Sequence, residues 1–187
     1  MAKHYDDPQE IARLMIDLKR LKQSASRSPF TGLLIIFCYV LWKDYRYSQA
    51  RLAEFCEEFT KYDKEFDGRD ISMLNEELWD YADWKIEFTP LTEKDFPVYK
   101  SRMAKDIMKE QIKANNQINE SGARYLTYGF VILKNDGAGK RKLTNIKGKI
   151  QKCLDELTDD KKNRWVMDLW QELVDGAGIY IEKPVIE

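Results

Sequence analysis

Residues 33–42 of the chain, LLIIFCYVLW, are apolar on every side of a helical wheel, whereas most other stretches place apolar residues on one face only. A helix without a polar face is buried, either in a protein core or in a bilayer. A bilayer span takes about 20 such residues, roughly twice this run, so a core helix over about 30–43 is the reading. After a turn at 44–47, Ser48 is a suitable N-cap. Leu52, Phe55, Cys56, Phe59, Tyr62 and Phe66 then recur with the 3.6-residue period of a second helix. A polar loop, Asp67-Gly68-Arg69-Asp70, leads to a third helix bearing Ile71, Leu74, Leu78 and Tyr81, and Ile86-Glu87-Phe88 forms a β-like tail.

The same pattern returns 91 positions later. In that register Tyr39 meets Phe130, Val40 meets Val131, Lys43 meets Lys134, Leu52 meets Leu143, Phe59 meets Ile150 and Trp79 meets Trp170. Beyond Gly176 the offset becomes 93, where Ile86 and Phe88 meet Ile179 and Ile181, and each copy closes on a proline, Pro90 or Pro184. This reads as a diverged tandem duplication. Residues 124–134, RYLTYGFVILK, resemble a β-strand in isolation, but their partner in the first copy makes them a helix. Helices at 140–157 and 161–174 and a tail at 179–181 complete the second copy, and the two tails are candidates for a small ribbon.

Outside the copies, Asp7-Pro8-Gln9-Glu10 has capping-box spacing with proline at the first helical position. It opens a helix with Ile11, Leu14, Leu18 and Leu21 on one face. Residues 93–119 read as a long connecting helix with Phe96, Tyr99, Met103, Ile107 and Met108 inward. The expected fold is all-α: two pseudo-repeated three-helix units joined by a long helix, with short β-like tails. Its parts are an N-terminal helix and linker (1–28), repeat unit 1 (29–90), the connecting helix (91–120) and repeat unit 2 (121–187).

The turn between the first two helices of each copy resembles a segment of the form L-x-x-x-F-G-F-G-x-x-R-L-x-x-F. That segment belongs to a family of small helical proteins common in bacteriophages and prophages of Gram-positive bacteria. Copy one matches through Leu41, Tyr45, Arg46, Tyr47, Ser48, Arg51, Leu52 and Phe55; copy two through Ile132, Asp136, Gly137, Ala138, Gly139, Lys142, Leu143 and Ile146. The first copy keeps the aromatics of the motif and the second keeps its glycines. The resemblance implies phage or mobile-element origin rather than a particular chemistry.

Candidate chemistry is sparse. His4 is the single histidine, so Ser-His and Cys-His nucleophile pairs are not expected. Cys38, Cys56 and Cys153 lack metal-site spacing and read as buried free thiols of a reducing cytosol, and the N-terminus has no apolar leader segment. Asp63-x-Glu65-x-Asp67-Gly68 imitates half a calcium loop, but its twelfth position is Leu74 in place of a bidentate carboxylate. Gly137-Ala138-Gly139-Lys140-Arg141 lacks P-loop spacing. No catalytic residue, metal or cofactor is expected; a metal held by carboxylates such as Glu76 and Asp80 is the weak enzymatic alternative.

Charge is the remaining signal. With 31 Lys+Arg and 32 Asp+Glu the chain is nearly neutral, yet residues 54–88 carry 4 basic and 12 acidic side chains while 121–152 carry 8 basic and one acidic. Lys140, Arg141, Lys142, Lys147, Lys149 and Lys152 are therefore candidate contacts to a nucleic-acid phosphate backbone. Glu76, Glu77, Asp80 and Asp83 are candidate contacts to a basic partner. The plainer alternative is that the halves attract each other, within one chain or by self-association. The expectation is a non-enzymatic, cytoplasmic protein that binds a host protein or nucleoprotein, in concrete form an anti-CRISPR-like inhibitor of bacterial defence. The alternative is a phage DNA-metabolism accessory gripping DNA or RNA backbone without sequence preference.

Overall fold

A computed structural model describes residues 8–26, 29–66, 71–158 and 165–182. These form seven α-helices: α1 (Pro8–Ser26), α2 (Pro29–Tyr45), α3 (Gln49–Phe66), α4 (Ser72–Ala82), α5 (Arg102–Asn135), α6 (Lys140–Thr158) and α7 (Val166–Ala177), with a 3-10 turn at Glu93–Asp95. The protein is all-helical among the described residues. Neither tail is a strand, so the expected ribbon is absent there. Instead, the backbone N–H of Ile86 donates to Asn75 Oδ1 (3.2 Å) and the carbonyl of Ile181 accepts from Trp170 Nε1 (2.8 Å). Helix side chains thus satisfy tail groups that a ladder would otherwise have taken. Asp7, the loop 67–70, residues 159–164, Pro184 and His4 lie outside the described residues.

The chain divides into two compact units. The larger comprises Phe30–Ile86 with the chain from Ala123 onward; the smaller comprises the preceding residues to Pro29 with Glu87–Gly122. In the larger unit the all-round apolar pattern of α2 has its expected consequence, since every side chain from Leu33 to Leu41 is buried. Phe37 is fully enclosed, with the rings of Phe55, Phe59 and Phe130 at 5.6, 6.0 and 5.3 Å. Gly129 on α5 faces that ring, and a Cβ there would lie 2.3 Å from Phe37 Cζ, so α2 and α5 approach as closely as they do because position 129 has no side chain.

Four helix ends in this unit turn through the left-handed region, at Arg46, Asp83, Gly137 and Gly178. α2 ends at Arg46 (φ 54°), whose N–H bonds to the Trp42 carbonyl at 3.1 Å, an αL cap. Gly137 (φ 83°) ends α5 in a Schellman arrangement, with Gly137 N–H on Lys134 O and Ala138 N–H on Leu133 O, both at 2.9 Å. Tyr47 and Ala138, which follow these residues, are both buried. Ser48 caps α3 as its sequence position suggests, its Oγ 3.4 Å from the Arg51 N–H.

The smaller unit packs Leu14 of α1 with Tyr99, Ala104, Ile107 and Met108. Buried Gln111 donates to the Leu14 carbonyl at 3.0 Å. The helix expected over 93–119 begins only at Arg102, because Pro97 holds Phe96 extended (φ −124°, ψ 157°) and Thr92 with Asp95 closes a separate capping box. It also runs past 119 to Asn135 without interruption. Met103, expected inward, is 51% exposed, and Ala104 takes the buried position.

Candidate functional site

The outward face of α4 brings together most of the acidic candidates. Spacings of three and four residues align Met73, Glu76, Trp79, Asp80 and Asp83 on that face while Leu74, Leu78 and Ala82 are buried. Two of the four carboxylates are used internally. Glu77 pairs with Lys134, whose ammonium also lies 5.4 Å from the Tyr81 ring centre, and Asp83 pairs with Lys140. Glu76 and Asp80 are exposed and hold no ion pair among the described residues. Beside them Met73 is 78% exposed and Trp79 53% exposed. Exposed Trp and Met are among the side chains enriched at interfaces, whereas unpaired carboxylates such as these belong to an interface's polar rim rather than its core.

The six basic candidates all lie on α6, whose opposite side is fixed in the core by Leu143, Ile146, Ile150 and Cys153. They fall into three pairs. Lys140 is bound to Asp83, and Lys149 to Asp44 at 3.0 Å, which holds the Lys149 ammonium above its ordinary pKa. Lys142 lies over the Tyr45 and Tyr47 rings (5.7 and 5.1 Å), and Lys147 lies 4.4 Å from the Trp84 ring centre. Only Arg141 and Lys152 are exposed without such a partner among the described residues. A phosphate backbone gains affinity from each cation that replaces its counterions. Four of these six already have a carboxylate or ring to leave.

The opposed charges of the two segments therefore meet inside one compact unit. Glu77 with Lys134, Asp83 with Lys140 and Asp44 with Lys149 all join the 30–86 part of this unit to the part from Ala123 onward. Arg51 adds a pair of the opposite polarity, its Nη2 2.6 Å from Asp136 Oδ2 and its guanidinium 4.0 Å from the Tyr47 ring centre. Tyr47 Oη approaches the same carboxylate at 3.4 Å, so Arg51 clamps the α2–α3 turn to the α5–α6 turn. This clamp borders a cleft of about 280 Å³ also lined by Glu54, Glu58, Tyr62 and Asn135. Burial, then Glu77, pushes the Tyr62 phenol up. Sequence reasoning placed Arg51 and Asp136 in the turn motif but had no means of pairing them.

Among the described residues, no three His, Cys, Asp or Glu side chains are grouped to hold a metal ion, and no helix is long and apolar enough to cross a membrane. No protein-family model, curated protein or solved structure matches the chain.

Proposed function

We propose that this is a non-enzymatic interaction protein of a phage or mobile element that docks on a basic surface of a host protein or nucleoprotein through the outward face of α4. The observation that carries the reading is that Met73 and Trp79 are exposed on the same face of α4 as Glu76 and Asp80, neither of which has an ion-pair partner among the described residues. Trp supplies a large, rigid contact area, and the two carboxylates select a cationic partner. Inhibition of a CRISPR-type defence complex in the host cytoplasm is the concrete form of the proposal, supported by the likeness of both turns to the phage motif. The internal engagement of Lys140, Lys142, Lys147 and Lys149 argues for the acidic face over the basic helix as the contact.

A tandem duplication belongs to the same proposal. Two of the four left-handed helix ends, Arg46 and Gly137, differ by the 91-residue offset, whereas the other two, Asp83 and Gly178, differ by 95. The 91-residue offset also separates the first α3 and α6 bonds, Leu52 N–H to Ser48 O and Leu143 N–H to Gly139 O, both 3.0 Å. These coincidences of backbone detail support common descent of the two halves.

The test compares bare nucleic acid with host defence complexes. The reading expects no gel shift of DNA or RNA at physiological salt. It expects binding to a nucleic-acid-loaded complex that Trp79→Ala weakens about 30-fold, the equivalent of a hot spot of roughly 2 kcal/mol. A steeply salt-dependent shift of bare DNA, abolished by Arg141→Ala with Lys152→Ala, establishes the DNA-accessory function instead.

A further inference from the structure

Cys38 on α2 and Cys56 on α3 lie 18 positions apart in the chain, and their sulfurs are 3.5 Å apart. The two thiols differ in access. Cys38 is fully buried, whereas Cys56 is half-buried and lines a shallow surface groove with Glu57, Thr60, Lys61, Lys64 and Glu65. None of the three cysteines of the chain is in a disulfide, and the third, Cys153, is buried on α6.

We propose that Cys38 and Cys56 form an oxidation site at which a peroxide entering the Cys56 groove is reduced and the two sulfurs are joined as a reversible disulfide between α2 and α3. The division of labour follows from burial and contact. The Cys56 sulfur and burial both push the Cys38 thiol up, and the contact with Cys38 lowers the Cys56 thiol. The Cys56 thiolate attacks one peroxide oxygen, the O–O bond breaks, and the departing hydroxide or alkoxide takes up a proton. Cys56 is then a sulfenic acid. Cys38 sulfur attacks the Cys56 sulfur, the S–O bond breaks, and hydroxide leaves with the Cys38 proton as water. One peroxide is reduced for each disulfide formed, and the sulfurs close from 3.5 Å to a bond of about 2.0 Å. Cys56 provides the attacking thiolate and Cys38 the resolving thiol.

The experiment is intact-mass spectrometry and a non-reducing peptide map of the full chain after hydrogen peroxide at neutral pH. The expected result is loss of two hydrogen masses, a peptide pair joined through Cys38 and Cys56, full reversal by dithiothreitol, and Cys153 still alkylated after denaturation. In Cys38→Ser, dimedone is expected to trap a sulfenic acid at Cys56. An unchanged mass, oxygen addition at Cys56 without a cross-link in the wild-type chain, or a bridge involving Cys153 overturns the proposal.

Discussion

Gly129→Ala adds one methyl group where α5 meets α2. Its Cβ would lie 2.3, 2.5 and 2.7 Å from three atoms of the Phe37 ring. Carbon atoms pack at about 3.5–4.0 Å, so the ring or the helix must retreat by more than roughly 1 Å. Phe37 has no free direction, being fully buried with Phe55, Phe59 and Phe130 around it. Overpacking of this severity belongs at the upper end of the usual range, about 3 kcal/mol, and the better helix propensity of Ala returns about 1 kcal/mol. The net expectation is a loss of about 2 kcal/mol. Gly176→Ala is the control: its Cβ meets Trp42 ring atoms at 2.5 Å, but Trp42 is only half-buried and can swing outward, so its cost stays below about 1 kcal/mol. All five Trp residues belong to the larger unit, so intrinsic fluorescence during urea unfolding follows that unit. A lowered midpoint at unchanged slope is the expected signature, and Phe37→Leu in the Gly129→Ala background should recover at least about 1 kcal/mol as coupling. Gly129→Ala as stable as wild type would refute the packing argument.

Arg46→Gly is expected to raise stability by about 0.5–1 kcal/mol, since a left-handed residue with a Cβ costs roughly 1–2 kcal/mol and the entropy of glycine returns part of it. Gly137→Ala, with nothing within 4 Å of its Cβ, should by the same balance lose about 0.5–1 kcal/mol; equal thermal midpoints for both variants and wild type would contradict this. Alkaline pH should destabilise the protein. Burial followed by Asp63 pushes Tyr125 up, and burial followed by Glu77 and Asp44 does so for Tyr62 and Tyr45 respectively. A raised folded pKa means stability fully present below the unfolded tyrosine value of about 10 and lost as pH rises through the folded values. Urea midpoints should fall above pH 10 and fall less in Tyr125→Phe, whereas a single phenolate titration of all ten tyrosines near 10 without unfolding would count against it.

The helices were legible wherever hydrophobic period and local chemistry agreed. The unbroken apolar run of α2, the 3.6-residue spacing of α3 and the Ser48 cap were visible in sequence because each depends on neighbours along the chain. The unbroken length of α5 was not visible. Its centre carries Asn115, Asn116 and Asn119, poor helix formers whose place is set by tertiary contacts. Asn116 clasps the backbone of Leu91, accepting its N–H at 2.8 Å and donating to its carbonyl at 3.1 Å. The candidate site was half legible. Charge counts picked out α4 and α6, but which carboxylate finds which cation depends on packing across 57 positions, as for Glu77 with Lys134 and Asp83 with Lys140. The thiol pair left no spacing signal, since only the return of α3 along α2 brings positions 38 and 56 together.

The most direct test of docking through α4 is capture from nuclease-treated bacterial host lysate by wild-type protein, by Glu76→Lys with Asp80→Lys, and by Arg141→Glu with Lys152→Glu. The predicted result is a host protein retained after nuclease treatment, lost with the α4 charge reversal and kept with the α6 reversal. Capture that disappears with nuclease, or that survives the α4 reversal and fails with the α6 reversal, would contradict it.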